Sequence, residues 1–198
     1  GRNRLQLEQW VREDFNDALI VRLPALYGAG LKKNFLFDLH TITPAMLKPE
    51  KYNELAEKLP LVKTGYTLAD NGFYKLNGTA DKTALKEFFA GNDFNALAFT
   101  DSRSRYQFYN LGRLWQDIET ARAAGLTMLH LCTPPISAAE VYTAVTGKAD
   151  WTNELPKSPF DYDLRSRYAA VLGGSGDYLC TKEEELDDVT HFLREWRD

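Results

Sequence analysis

The chain has 198 residues, of which 44% are hydrophobic and 26% charged, a composition close to that of globular proteins and unlike that of disordered chains. Its formal net charge of −4 argues against nucleic acid as the main partner, because phosphate binding needs a basic face. No apolar run approaches the roughly 20 residues that a membrane-spanning helix needs, so the sequence predicts a soluble protein without a membrane partner.

The first predicted elements are a helix and a buried strand. Residues 2–16 repeat apolar side chains at helical spacing. The apolar run over 18–23 predicts a strand that is covered on both faces and ends at the loop Pro24–Gly30. Because ligands of open α/β sheets bind beyond the carboxyl ends of the strands, this loop is the expected place for chemistry.

Short helices and strands are predicted to alternate through the middle of the chain. They are a helix or turn at 35–37, a helix with Thr43 as N-cap that stops at Pro60, strands and turns over 61–78, a helix from Asp81 to Gly91 and a strand over 96–101.

The last third is predicted to contain helices, a strand and an irregular segment. They are a helix over 111–121, a strand over 126–132 covered on both faces, a helix capped by Ser137 and Glu140, a loop over 148–166, a glycine-rich turn at 173–176 and a final helix capped by Thr181 and Glu184.

The few cysteines and histidines predict neither a disulfide framework nor a metal site. Cys132 and Cys180 lie far apart, and neither belongs to a Cys-x-x-Cys pair, which favours a reducing, cytoplasmic compartment and leaves a single disulfide as the alternative. His40, His130 and His191 lack the spacing of metal ligands, so no metal is expected.

The opening helix and strand resemble the second half of the extended short-chain dehydrogenase/reductase family, the nucleotide-sugar epimerases and dehydratases. In that family a Tyr-x-x-x-Lys catalytic pair begins this helix. Arg4 stands where the lysine falls, the chain opens just after the place of the tyrosine, and Glu8 matches a glutamate one turn later. Three later segments add to the resemblance: Tyr106–Ile118, Leu126–Glu140 and the basic segment Asp163–Arg167.

The resemblance implies an α/β fold that combines the C-terminal part of a doubly wound, Rossmann-like sheet with a small mixed α/β substrate lobe. Residues 1–198 are then expected to form a single domain, the substrate-binding half of an extended reductase, with the lobe inserted over 31–105. The sequence contains no Gly-x-Gly-x-x-Gly, so NAD or NADP is expected in a full-length parent and not on this chain alone.

The resemblance also implies roles for individual residues. Arg4 would act as the cationic catalytic partner of the tyrosine and contact the cofactor, because a nearby positive charge favours the phenolate; a surface ion pair with Glu8 is the alternative. The other implied contacts are Leu23 and Pro24 with the cofactor, and Ala25, Tyr27, Lys33, Asn34, Arg105 and Arg165 with the substrate. The alternatives are that the loop Pro24–Gly30 is only a turn that ends the strand, that Lys33 belongs to a solvated lysine pair, and that the arginines are scattered over the surface.

The expected function is therefore that of a substrate-binding half in NAD(P)-dependent redox chemistry on a small nucleotide-sugar-like molecule, as epimerase, dehydratase or reductase. A non-catalytic ligand-binding or assembly module is the alternative. It is favoured by Arg4 and by Ala25, which replaces an asparagine common in relatives. Because two buried strands would lack flanking strands, we expect a homo-oligomer or association with the missing N-terminal half.

Overall fold

The computed structural model describes residues 2–30 and 32–196 and shows a mixed α/β protein built on short strands. It divides into two compact units. Unit 2 spans Lys32–Asp101, and unit 1 comprises the described residues before and after it. Unit 2 covers most of the range 31–105 that the sequence assigned to a substrate lobe. Within the described residues, no helix has the length and apolar character to cross a membrane.

The helices, in chain order, are α1 (Arg2–Asp14), α2 (Phe35–Thr41), α3 (Pro49–Lys58), α4 (Pro60–Gly65), α5 (Lys82–Ala90), α6 (Leu114–Ala123), α7 (Ala138–Thr146) and α8 (Lys182–Glu195). The strands are β1 (Ile20–Arg22), β2 (Ala25–Tyr27), β3 (Met46–Leu47), β4 (Tyr66–Leu68), β5 (Tyr74–Leu76), β6 (Arg105–Tyr106), β7 (Phe108–Asn110), β8 (Met128–His130) and β9 (Ile136–Ser137).

Two parallel strand pairs organise unit 1. β1 pairs with β8, and β2 pairs with β7, so that Tyr27 lies opposite Asn110 at the carboxyl ends of the second pair. The predicted strands at 18–23 and 126–132 are confirmed, but the prediction that both faces are covered is wrong. In β1, Ile20 and Val21 are half-buried and Arg22 is exposed, and in β8 only Leu129 is buried, while Met128 and His130 on the opposite face are half-buried.

The apolar side chains of helix α1 are exposed to solvent. The predicted helix is confirmed, yet none of its described residues is buried, and Trp10 remains 54% exposed. Glu8 accepts hydrogen bonds from Arg12 and from Arg22 at the end of β1, both at 2.8 Å. This second bond ties the helix to the strand, while the apolar side chains stay outside the core.

In unit 2, helices α3, α4 and α5 share a hydrophobic core with the antiparallel sheet β3–β5–β4. Its core includes Leu55, Leu85 and Phe89, all fully buried. The helix predicted from Thr43 is wrong at its start, because Met46 and Leu47 pair with β5 and helix α3 begins only at Pro49. The strand predicted over 96–101 is also wrong.

A short 3-10 helix, Ala96–Phe99, replaces that strand. The side chain of Asn95 accepts a hydrogen bond from the Leu97 amide, which favours a helical turn at this point. Several local signals hold: Asp81 caps α5, and both predicted capping boxes form, at Ser137 with Glu140 and at Thr181 with Glu184. Two further predictions are wrong in part, because helix α4 occupies the start of the segment 61–78 predicted as strands and turns, and strand β2 lies within the predicted loop Pro24–Gly30.

Candidate functional site

A cavity of about 490 Å³ lies in unit 1 at the carboxyl ends of β2 and β7. Tyr27 and Asn110, the last residues of these strands, contribute to one wall, and residues from the first half of α8 contribute to another. The loop over 172–180 supplies further lining residues. Both the volume and the place, beyond parallel strand ends, are typical of small-molecule sites.

A hydrogen-bonded network links the strand ends to α8. The Tyr27 hydroxyl donates to Asp188 Oδ2 at 2.5 Å, and the Asn110 amide donates to the same oxygen at 3.0 Å. Burial, together with the neighbouring Asp188 carboxylate, raises the pKa of Tyr27 well above its usual range. Tyr27 is therefore a neutral phenol at physiological pH, and its oxygen can still accept a hydrogen bond from a ligand.

Glu185 is a buried carboxyl group beside this network, with only 3% of its surface exposed. Its Oε1 accepts hydrogen bonds from the Phe108 amide at 2.7 Å and from the Thr133 hydroxyl at 3.0 Å. Its Oε2 has no hydrogen-bond partner in the described part of the chain. Burial raises the pKa of Glu185 to about 8, so the group is mostly protonated at neutral pH and can donate a hydrogen bond to a ligand oxygen.

The remaining ionisable residues of the cavity define what it can bind. Burial raises the pKa of Cys180 to about 12, so its thiol is not a nucleophile at neutral pH. Arg113 also lines the cavity, and its guanidinium is held only loosely by Asp117, with the nearest nitrogen and oxygen 3.8 Å apart. The cavity thus offers neutral donors, the carboxylates of Glu184 and Asp188 as acceptors, and one weakly paired cation.

Among the residues that the sequence assigned to a site, Tyr27 is the one that lines this cavity. Ala25 begins β2 opposite Phe108, and Leu23 and Pro24 precede that strand. Arg4 is exposed on α1. The expected partner of Arg4, Glu8, is instead bound by Arg12 and Arg22, so the alternative interpretation of an Arg4–Glu8 pair is not realised.

Lys33 and Asn34 belong to unit 2. Lys33 is exposed, and Asn34 caps α2, its side chain accepting a hydrogen bond from the Phe37 amide at 3.1 Å. This capping contact explains why an asparagine stands at the start of the helix, and no ligand is needed to explain it.

Arg105 and Arg165 both act on the Asp163 carboxylate, and both are paired with carboxylates. Arg105 binds Asp161 at 2.6 Å, and Arg165 binds Asp163 and Asp177 at 3.3 and 3.1 Å. The Tyr178 hydroxyl bond, followed by Arg165 and Arg105, lowers the pKa of Asp163. These arginines form an exposed charge network rather than a free pair of cations for a diphosphate.

Sequence reasoning missed Asn110, Arg113, Glu185 and Asp188. A usable signal was present in α8, because Glu185 and Asp188 are three residues apart and so share one face of a helix that the capping box had already located. Comparison with family models, curated proteins and solved structures found no match for this chain.

Proposed function

We propose that this chain is the substrate-binding half of an NAD(P)-dependent nucleotide-sugar epimerase, dehydratase or reductase of the extended short-chain dehydrogenase/reductase family. The observation that carries the proposal is the polar cavity at the paired ends of β2 and β7, just before the chain enters unit 2. The proposal is also supported by the parallel pair β1–β8, which would be the C-terminal part of a doubly wound sheet.

The polar groups of the cavity match a hydroxyl-rich ligand. Sugar hydroxyls both donate and accept hydrogen bonds, so they need acceptors such as Asp188 and donors such as Asn110 and protonated Glu185. The Arg113 guanidinium supplies a cation for a phosphate oxygen. A purely apolar ligand would leave the buried Oε2 of Glu185 without a partner, which costs about 1–3 kcal/mol for a buried polar group.

The N-terminus of one helix supports the expectation that this chain alone holds no dinucleotide. The helix that follows the parallel strand β8 is α7, and its first turn is occupied by the Ser137 hydroxyl and the Glu140 carboxylate. An acidic side chain at this end competes with a pyrophosphate for the amide groups. In the proposal, NAD or NADP is therefore held by residues outside this chain.

A titration with UDP-glucose tests the proposal. We expect calorimetry to show binding by the wild-type chain and a loss of at least about tenfold in affinity on Asp188→Asn, because the carboxylate acceptor is lost. Asp187→Asn, an exposed neighbour on the same helix, is the matched control and is expected to stay within about twofold. Absence of binding by the wild type, or equal losses in the two variants, would refute the proposal.

A second candidate function, a non-catalytic assembly module, is favoured by the exposed stripe on α1. Leu7, Trp10 and Phe15 are each more than half exposed, and exposed apolar patches of this kind mark interaction surfaces. The pairing of Arg105 and Arg165 with carboxylates also leaves fewer cations for a diphosphate. Both functions are compatible with a homo-oligomer or with association with a separate cofactor-binding half.

Replacing Trp10 by alanine tests this surface. We expect self-association, measured by sedimentation velocity, to weaken by about 2 kcal/mol because aromatic anchors dominate interfaces. The free energy of unfolding should change by less than about 0.5 kcal/mol, because the side chain is exposed in the monomer. Trp115→Ala, another exposed tryptophan, is the control. A monomeric wild type at high concentration, or equal effects of the two substitutions, would contradict the prediction.

We also infer a reducing, cytoplasmic location. Cys132 and Cys180 are both free thiols, and the alternative of a single disulfide is not realised. Free thiols persist in reducing compartments, which supports the inference.

A further inference from the structure

A second cavity, of about 440 Å³, lies within unit 2 and differs in character from the first. Seven of its ten lining residues are apolar: Pro44, Ala45, Met46, Phe73, Phe94, Ala96 and Phe99. The rings of Phe94 and Phe99 meet edge to face, with centroids 5.7 Å apart. The volume suits a small molecule, and the aromatic rings suit a flat one.

Asp38 is the one carboxylate among the lining residues. It lies on α2, is half-buried, and its carboxylate has no hydrogen-bond or ion-pair partner among the residues that the structure describes. Burial alone raises the pKa of Asp38 to about 6. A carboxylate in these surroundings gains strongly from a donor that enters the cavity, because nothing in the protein yet compensates its desolvation.

The two lysines of the cavity do not neutralise this carboxylate. The Lys51 ammonium is bound by Glu54 at 2.5 Å and lies 5.0 Å from the centre of the Phe94 ring. Lys48 is exposed. The acceptor inside the cavity therefore remains available, while the lysine charges are directed to a neighbouring carboxylate and to solvent.

The apolar side chains of this cavity remain partly in solvent. Met46, Phe73 and Phe99 are 48%, 37% and 57% exposed. A ligand that covers them removes apolar surface from water, which is favourable in proportion to the area covered. A purine fits poorly, because its several donors and acceptors would face apolar walls without partners.

We propose that unit 2 binds a flat, mostly apolar aromatic molecule whose single N–H or O–H group donates to Asp38, a ring of the indole or phenol type. This site is independent of the cavity in unit 1 and of the function proposed for it. The aromatic and aliphatic walls bind the ring, and the carboxylate selects rings that carry a donor.

Indole and 1-benzothiophene, which have the same shape but differ in the N–H donor, test the proposal by nuclear magnetic resonance titration. We expect indole to bind the wild-type chain at least about fivefold more tightly and to shift the amide signals of residues 94–99. Asp38→Ala is expected to bring the two affinities within about twofold. Equal affinities for the wild type, or shifts that leave residues 94–99 unchanged, would overturn the proposal without affecting the UDP-glucose result.

A cavity-filling variant gives a second, independent check. Ala45 is an exposed lining residue, so Ala45→Trp is expected to occupy the cavity and weaken indole binding at least about tenfold without loss of folding. Ala90→Trp, at an exposed position of the same unit outside the cavity, is the control and should bind indole as the wild type does. Undiminished binding by folded Ala45→Trp would also overturn the proposal.

Discussion

Between pH 5 and pH 8, the free energy of unfolding of the wild-type protein should fall by about 3 kcal/mol because of Glu185. The Glu185→Gln variant should not show this fall. Burial raises the pKa of Glu185 from 4.5 to about 8, so the folded state holds a proton that the unfolded state releases. The wild-type protein should therefore become less stable as pH rises through this window. Glutamine keeps the shape of the protonated acid and carries no charge, so the variant should lose this component of the slope.

Urea unfolding at pH 5 and pH 8 measures the difference. Glu183→Gln, an exposed residue on the same helix, is the matched control and should retain the wild-type pH dependence. If Glu185→Gln follows the same pH dependence as the wild type, the carboxyl is ionised in the folded state, and its assigned role as a neutral donor is wrong.

Replacing Gly174 by alanine should destabilise unit 1 by about 3 kcal/mol, at the upper end of the usual cost of overpacking. A Cβ atom at this position would lie 2.2 Å from the carbonyl oxygen of Tyr178 and 2.7 Å from the Cα of Leu179. Both are backbone atoms, so no side-chain rotation relieves the clash. Leu179 is buried, and its amide donates to the Cys132 carbonyl, so the loop cannot move freely.

Thermal and urea unfolding test this effect, and UDP-glucose titration should show a parallel loss because Leu179 and Cys180 line the unit 1 cavity. Gly78→Ala is the control, since a Cβ there meets no atom within 4 Å. It should change the free energy of unfolding by less than about 1 kcal/mol. A Gly174→Ala protein of wild-type stability would show that the close contact between the two loop segments is not present in solution.

The elements that the sequence predicted correctly depend on contacts between near neighbours. The capping boxes of α7 and α8 join residues three positions apart, so their pattern is complete within one helical turn. The error over 96–101 comes from a missed local signal, the Asn95 side chain that accepts a hydrogen bond from the Leu97 amide, whereas the error at Thr43 has the opposite origin. Met46 belongs to a strand because it pairs with Lys75, and no local pattern contains that partner.

The site shows the same limit. Tyr27 was predictable because it lies in the loop Pro24–Gly30 that follows the strand predicted over 18–23, and the carboxyl end of a strand is a favoured ligand position. Glu185 was not, because its burial and hydrogen bonds come from Phe108 and Thr133, which lie 77 and 52 residues away. Likewise, the sequence does not show that Asp161, Asp163 and Asp177 pair with Arg105 and Arg165, because the fold alone brings Asp161 and Asp177 next to these arginines.

Hydrogen exchange in the presence of UDP-glucose tests most directly whether unit 1 supplies a substrate site. We expect a saturating concentration of the ligand to slow exchange over residues 108–113 and 172–188, which carry most of the cavity wall, and NAD⁺ alone to leave both segments unchanged. Unchanged exchange in both segments with UDP-glucose, or protection by NAD⁺ alone, would contradict the assignment of this chain to the substrate side.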